Sequence, residues 1–522
     1  MKGDIMRLSR RGFITGAAGM AAAGAIGSAS SAFAKDPSEV TSYEEGQYAF
    51  EIAPDPVDES EINETIDAEV VIVGAGNAGI PAALTAMDLG AKTVVLQKGP
   101  TTFTHGWAVR PFGTDLVPDN DGQAMLKALS DANVGLTDTR LLKLYINHSG
   151  ETIDFFNRIA EENGLEHRYV RYTPTSPYVV WDDTVAYHRQ NTFMTAAAEI
   201  CADHGVEFRY ECPGYYLEKD ENGRVTGVIA KDLANGGYIR ANASTGVIVA
   251  SGDIGNNEQM LERYSSIAVG VPSAYVGKSN EGEGQQMLLW AGAQIQKYPF
   301  TAMIHLDPSV LPEGDAPFSD YPWLSVNSDG NRFMDESVDY QAKIYAACGQ
   351  TQITFFNIGG PEMKEYINNT EDLRKFTWDD AYERGAIVEG ATVEELAEKI
   401  GVPADNLQAT IDRYMEMYNE GEDSDFGKPI ENFENTLIDE AGPFYAIKRS
   451  PGTLVVAGGA VTNERLQVLD GDNKVIEGLY VAGNTLGKFF GMVYYMSVMS
   501  GVSNGRAVTT GRLAARFALN DL

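Results

Sequence analysis

The first strong pattern in the chain is the apolar run at 68–73, Ala-Glu-Val-Val-Ile-Val, which reads as a strand buried on both faces. It passes directly into Gly74-Ala75-Gly76-Asn77-Ala78-Gly79. Apolar residues then recur at helical spacing (Ala82, Ala83, Leu84, Ala86, Met87, Leu89), Gly90 stops the helix, and Thr93-Val94-Val95-Leu96 forms a second strand. Together they make a strand–helix–strand unit of about thirty residues, the size of a dinucleotide-binding fold. Further on, 223–230 reads as a hairpin strand, 246–250 as a buried strand entering the turn Ser251-Gly252-Asp253, and 478–482 as another entering Gly483-Asn484. A helical tail covers 506–517. Between 300 and 445 the pattern changes to mixed loops and charged helices, as at 392–400 and 407–418. The expected fold is therefore α/β: a Rossmann-like dinucleotide domain, 66–299 and 446–522, with an α+β cap inserted at 300–445.

The glycine run carries a mechanism. Gly74 permits the tight turn, Gly76 lets backbone approach a pyrophosphate, and Gly79 lets the helix pack on the strand, with Ala78 as the small residue between them. The anion would sit on the helix N-terminus, where free N–H groups point at it. An acid is expected near 97 to hold a ribose, but Gln97-Lys98 stands there. A glutamine amide also bonds ribose hydroxyls, as donor and acceptor.

Composition narrows the chemistry. A chain of 522 residues, 43% hydrophobic with 25 tyrosines, is folded, at two or three domains. With 40 Lys+Arg against 74 Asp+Glu the net charge is −34, which excludes nucleic acid as a partner. The three cysteines, Cys201, Cys212 and Cys348, show no C-x-x-C spacing. Zinc ribbons, iron–sulfur runs, c-type haem attachment and a disulfide framework are thus not expected, and no metal site is assigned. Redox chemistry would use an organic cofactor or a partner's metal. At the N-terminus Ser9-Arg10-Arg11-Gly12-Phe13-Ile14, an Ala/Gly-rich stretch and Ala32-Phe33-Ala34 read as a twin-arginine signal, 1–34. It implies export of the folded protein to the periplasm or cell surface. The stretch is too rich in Gly and Ala for a membrane span, and 35–65 reads as an acidic linker.

These elements in this order resemble the fumarate reductase/succinate dehydrogenase flavoprotein family. The matching pieces are the Gly74–Gly79 fingerprint, GRVTGV at 223–228, VIVASGDIGNN at 247–257, EGEGQQMLLWAGA at 281–293, LSVNSDGNRFMDE at 324–336 and GLYVAGN at 478–484. The resemblance implies FAD, held between the dinucleotide domain and a mobile cap. It places Gly252, Gly282, Gly284, Gly483 and Asn484 along the cofactor. It also puts His105, Gly106, Trp107 and Arg110 in a flavin-facing loop after the second strand.

The departures bear on substrate. The family clamps a dicarboxylate with His and Arg and protonates carbon with another Arg. His305 matches the first histidine, but the stretch that should hold the second runs Pro451-Gly452-Thr453-Leu454-Val455-Val456-Ala457-Gly458-Gly459. No arginine lies between Arg332 and Arg374, and 487–497 offers Lys488, Phe489, Phe490, Tyr494 and Tyr495 where the substrate arginine belongs. Fumarate is thus not the expected substrate. Tyr494 and Tyr495 are the replacement hydrogen-bond and proton donors, as in the similar ketosteroid dehydrogenases. Glu336 and Tyr340 are proton-path candidates, and Asp335 closes a turn. The expected reaction is hydride transfer from flavin N5 to the activated C=C of an enoate, enone or steroid-like compound, with electrons from an external cytochrome or membrane quinol system. The alternatives are a ketosteroid-type dehydrogenase running in reverse and a flavin carrier whose active site has lapsed.

Overall fold

The computed structural model describes residues 48–104, 109–115, 120–165, 169–171, 179–181, 189–273, 279–307, 321–369, 378–433, 436–438, 441–494 and 501–522. The expected signal segment lies outside them, as do His105, Gly106, Trp107 and Tyr495.

An eight-stranded sheet forms one layer, in the order β14 (Gln467–Leu469), β15 (Val475–Val481), β8 (Tyr238–Val249), β1 (Ile62–Val73), β2 (Thr93–Leu96), β5 (Glu207–Arg209). From β15 to β5 every pair is parallel. The hairpin β6 (Gly214–Lys219) and β7 (Val225–Lys231) adds antiparallel to the first half of β8. A ribbon of β3 (Tyr169–Arg171) and β4 (Val179–Trp181) stands apart from this sheet. Val70, Val71 and Ile72 are fully buried, because both faces of the sheet are covered there.

β1 begins six residues earlier than the apolar run suggested. Thr65–Ala68 alternates wet and buried positions, with Ile66 and Ala68 inward, and Ile62–Ala68 pairs with Tyr238–Ala243 of β8. One wet face hides such a strand from a search for continuous apolar residues. The expected linker is corrected accordingly. Before β1, Phe50 is buried beside Tyr264 (ring centroids 5.8 Å apart), and the Trp290 Nε1–H donates to its carbonyl at 2.8 Å. The aromatic side chain holds that acidic stretch on the domain.

A second sheet of five strands is antiparallel: β10 (Leu324–Val326), β11 (Phe355–Gly359), β13 (Phe444–Ala457) and β12 (Ile387–Gly390), with β9 (Thr301–Asp307) also on β13. The Val393–Ile400 and Ala404–Glu420 helices cover it, burying Leu396, Leu407, Ile411 and Tyr414 against Leu324, Val326 and Ile358. Thr392 caps the first of these, accepting the Glu395 N–H at 3.2 Å. β13 pairs with β11 and β12 over Phe444–Arg449 and with β9 from Ser450 onward, so one strand leads from this sheet to the Gly458-Gly459 turn. Among the described residues no helix is long and apolar enough to cross a membrane.

Candidate functional site

Parallel register brings the chemistry to one edge. Val481, Val249, Val73 and Leu96 stand side by side, so Gly483-Asn484, Ser251-Gly252, Gly74 and Gln97-Lys98 emerge together at the carboxyl ends of the strands. Such an edge, where connections leave in opposite directions, is where open α/β sheets bind ligands.

The glycine positions differ in what they meet. Gly74 has φ +104°, and a Cβ there would stand 2.5 Å from the Ala250 carbonyl oxygen. A Cβ on Gly79 would run into the Gly74 carbonyl, and one on Gly284 into Ser251 Oγ. Gly76 is different: its Cβ would approach only the Phe103 oxygen, at 3.7 Å, so no protein neighbour demands glycine there. That open side fits a phosphate drawn close to the backbone. Gly282 is the N-cap of the Glu283–Trp290 helix, and Gly483 packs against Ala78. The turns also lock to one another. Gln285 Nε2 donates to the Gly252 and Gly458 carbonyls at 3.1 and 3.2 Å, and Thr485 Oγ1 donates to Gly252 O at 3.2 Å. Among the described residues Ser251 Oγ, Gln285 Oε1 and Arg506 Nε are buried without a hydrogen-bond partner, and all three belong to this cluster of turns. Buried polar atoms of this kind call for a polar ligand.

Gln97 and Lys98 turn out to be engaged by the protein. Gln97 Oε1 accepts the Ala75 N–H at 2.9 Å and its Nε2 donates to Thr101 O at 3.1 Å, bracing the glycine turn. Lys98 Nζ meets Glu281 Oε2 at 2.7 Å and also Glu283. Burial opposes the ammonium charge, but Glu283 and Glu281 prevail and hold its pKa above the usual lysine value. The charged lysine therefore ties the second strand to the Glu283–Trp290 helix.

A buried polar chain runs under the 483–484 turn. Gly255 N–H and Asn280 Nδ2 donate to Asp253 at 2.8 and 3.0 Å, and Asn484 Nδ2 approaches it at 3.4 Å. Burial pushes the Asp253 carboxyl up to about 6, against these donors. On the other side of Asn484, the fully buried Arg506 donates to the Gly483 carbonyl at 2.8 Å and to Asn484 Oδ1. Its guanidinium lies over the Phe490 ring, 4.6 Å from the centroid. Tyr494 is buried nearby; burial raises its phenol pKa strongly, only partly offset by Arg506 and by hydrogen bonds from Ser503. Asn77 Nδ2 donates to Asn504 Oδ1 at 3.1 Å, linking the fingerprint to the first turn of the Val502–Ala518 helix. Arg110 reaches the same place, its N–H donating to Gly501 O at 3.1 Å.

The segment before Tyr494 is pinned by Asn133, whose Oδ1 accepts the Met492 and Val493 N–H groups at 2.9 and 2.8 Å. Val493 bridges Ala302 of β9, the strand that carries His305. His305 stands opposite Gly452 in the β9–β13 ladder and meets the Tyr340 ring edge-on, centroids 5.9 Å apart. Two residues chosen separately from sequence thus become neighbours. Thr453, next along, has a buried hydroxyl without a hydrogen-bond partner among the described residues.

Glu336 lies within an ion cluster. It is fully buried in the cap, with Arg332 Nε and Nη2 on its two oxygens at 2.9 Å each and Lys428 Nζ at 3.5 Å; Arg332 also bonds Asp423 at 2.8 Å. These contacts make Glu336 a structural tie within the cap. Asp335 closes its turn as expected, accepting the Ser337 N–H at 2.7 Å. Sequence reading missed Asp253 and Arg506. Asp253 sits inside a motif quoted for other reasons, and Arg506 follows Gly505 in a helix whose alanines and threonines hide its depth.

Residues 69–497 match the FAD binding domain family. The NADH:acrylate oxidoreductase of Vibrio harveyi is 28% identical over 506 residues, 82% of this chain and 48% of its own. Vinyl phenol reductase of Lactiplantibacillus plantarum is 26% identical over 486 residues, 86% of this chain and 96% of its own. The 3-oxosteroid 1-dehydrogenase of Mycolicibacterium smegmatis is 31% identical over 336 residues, 56% of each. The chain spans only about half the length of the first and third of these relatives. The open conformation of a flavocytochrome c3 fumarate reductase shares the fold, at TM-score 0.68 and 21% identity, over 88% of this chain and 79% of that one. The resemblance to fumarate reductases and ketosteroid dehydrogenases is borne out, as is the expected α/β fold. The chain belongs to the FAD-binding-domain family of flavoproteins, and FAD is its cofactor.

Proposed function

We propose that the protein reduces the activated C=C bond of an α,β-unsaturated carbonyl or vinyl-aromatic compound other than a dicarboxylate. The observation that carries the reading is the composition of the β9–β13 ladder beside the glycine turns. It offers one imidazole, His305, and the buried Thr453 hydroxyl, which has no partner among the described residues, in place of the two histidines of a dicarboxylate clamp. One imidazole and a hydroxyl polarise a carbonyl without the paired histidines that select for two negative charges. Likeness to relatives named for acrylate, vinyl phenol and 3-oxosteroids supports the same class.

FAD held at the Gly74, Gly252 and Gly483 turns supplies the hydride when it is bound and reduced. The chain's own residues orient the substrate and move the proton. His305, steadied by the Tyr340 ring, hydrogen-bonds the substrate's polar end. Tyr494 stays a neutral phenol at any physiological pH because burial disfavours the phenolate, and Tyr495 is the proton donor to carbon. Export through residues 1–34 and electrons from an external cytochrome or membrane quinol system complete the proposal. Collapse of cytochrome-dependent turnover with added salt is the expected sign of docking on the acidic surface. A second reading, dehydrogenation in the reverse direction, is favoured by the likeness to 3-oxosteroid 1-dehydrogenase.

Substituting Tyr495→Phe tests the proton donor. FAD content should be unchanged while turnover falls about 10²-fold or more; turnover equal to the parent's removes Tyr495 from the reaction.

A further inference from the structure

Gln341 is a buried amide unmet at both ends. Its side chain is fully buried, and neither Oε1 nor Nε2 has a hydrogen-bond partner among the described residues. It is the second residue of the Tyr340–Cys348 helix, and its backbone N–H donates to the N-cap Asp339 at 3.0 Å. Burying an amide in this way is costly, and such a group points to a polar ligand.

The neighbouring contacts place the amide. Ile344 and Tyr345 stand three and four residues on, so Gln341 shares their face of the helix. Ile344 packs in one buried cluster with Ala302 and Ile304 of β9, and the Tyr345 hydroxyl donates to the Ala302 carbonyl at 3.1 Å. Tyr340, at the start of the helix, meets His305. The helix therefore runs antiparallel to β9 with its N-terminus beside His305, and helical side chains lean toward the N-terminus. Gln341 thus projects along β9 toward the imidazole. Thr453, the register partner of Ile304, brings a second buried polar group without a partner among the described residues to the same end of the ladder.

We propose that Gln341 is a specificity-determining residue that hydrogen-bonds a phenolic hydroxyl on the substrate. A ketone or carboxylate answers Nε2 alone and leaves Oε1 buried and unmet. A hydroxyl supplies the hydrogen for Oε1 and keeps lone pairs for the donors Nε2 and His305. The rings of Tyr340 and Tyr345 on either side of the amide, with the imidazole beyond, suit an aromatic body. The inference rests on His305, Tyr340 and Thr453 forming the substrate site, and it narrows the substrate class to hydroxyl-bearing aromatics.

Binding to the purified holoenzyme with oxidised FAD tests it, using 4-ethylphenol and 4-ethyltoluene, in which a methyl group stands for the hydroxyl. By titration calorimetry the parent should bind the phenol about tenfold or more tighter. Gln341→Met should lose that preference, whereas Gln341→Glu, which still accepts a hydrogen bond, should keep it. The ratio is taken within one protein, so partial loss of folded enzyme cancels. A parent that lacks the preference, or binds neither compound, overturns the proposal. Q341M that keeps the preference overturns it in favour of a buried water on the amide. Loss of the preference in Q341E as well as Q341M also overturns it and assigns Gln341 to packing. Should one variant fail to hold FAD, the other decides. Should both fail, the pH dependence of the parent decides. Affinity for 4-ethylphenol should fall as its hydroxyl ionises near about pH 10, because the phenolate has no hydrogen for Oε1. Undiminished binding of the phenolate overturns the proposal. Binding and turnover fail separately. Reduced FAD that no alkene reoxidises removes the reductase reading and leaves the hydroxyl site, while turnover with unselective binding removes only the role of Gln341.

Discussion

His305 and Tyr340 meet edge to face, ring centroids 5.9 Å apart, although they lie on a strand and a helix separated by a long stretch of chain. The contact orients an imidazole beside Gly452, next to Thr453 in the stretch where a dicarboxylate clamp would have its second histidine. Replacing Tyr340 by Leu should leave FAD bound but raise KM and lower kcat about tenfold or more, because the ring sets the imidazole's position. His305→Gln should lower kcat/KM by at least as much. Unaltered kinetics in both variants would remove the pair from the substrate site.

The glycine turns predict a split between folding and cofactor binding. Gly79→Ala drives a methyl into the Gly74 carbonyl and should lower the melting temperature and the soluble yield. Gly76→Ala meets no protein atom closer than 3.7 Å, so the apoprotein should melt as the parent does while FAD affinity falls by tenfold or more. Thermal melts of both apoproteins and a FAD titration separate the two effects.

Glu336 belongs to stability. Removing its charge leaves Arg332 and Lys428 buried with only Asp423 opposite, which should cost roughly 3–5 kcal/mol in Glu336→Gln. Lys428 also adds a pH signature. Burial pushes its ammonium down to about 8, with Glu336 opposing the shift. The unfolded chain therefore binds more protons than the folded one between pH 8 and about 10, and stability should rise with pH across that window. Lys428→Met should abolish the rise, measured by denaturant unfolding at pH 8 and 10.

Asp253 gives the opposite sign. Its folded carboxyl titrates at about 6, above the ordinary value, because it is buried. The folded protein then holds the extra proton between pH 4 and 6, so this contribution is full at low pH and is lost as pH rises through 6. Asp253→Asn should flatten that part of the stability curve, by on the order of 3 kcal/mol. A curve identical to the parent's would place the titration elsewhere.

Much of this architecture was legible in sequence, for identifiable reasons. The Thr93–Leu96 strand and the turns at Gly252 and Gly483 were readable because parallel strands buried on both faces are continuous apolar runs ending in glycine. The start of β1 was not, since its first half has one wet face. Lys98 looked like a cofactor contact because its partners, Glu281 and Glu283, lie far along the chain. The ion cluster around Glu336 is hidden for the same reason, as Asp423 and Lys428 come from the other end of the cap. Arg506 could be found only in three dimensions: an arginine in a C-terminal helix looks solvent-facing until the Gly483 turn closes over it.

The most direct measurement is anaerobic reoxidation of the dithionite-reduced holoenzyme by acrylate, 4-vinylphenol, a 3-oxo-4-ene steroid and fumarate, with the products identified. The expected result is rapid return of oxidised-flavin absorbance with at least one of the first three and formation of its saturated product, while fumarate leaves the flavin reduced. Reoxidation by fumarate alone, or by none of the four, would contradict reduction of an activated C=C bond outside the dicarboxylate class.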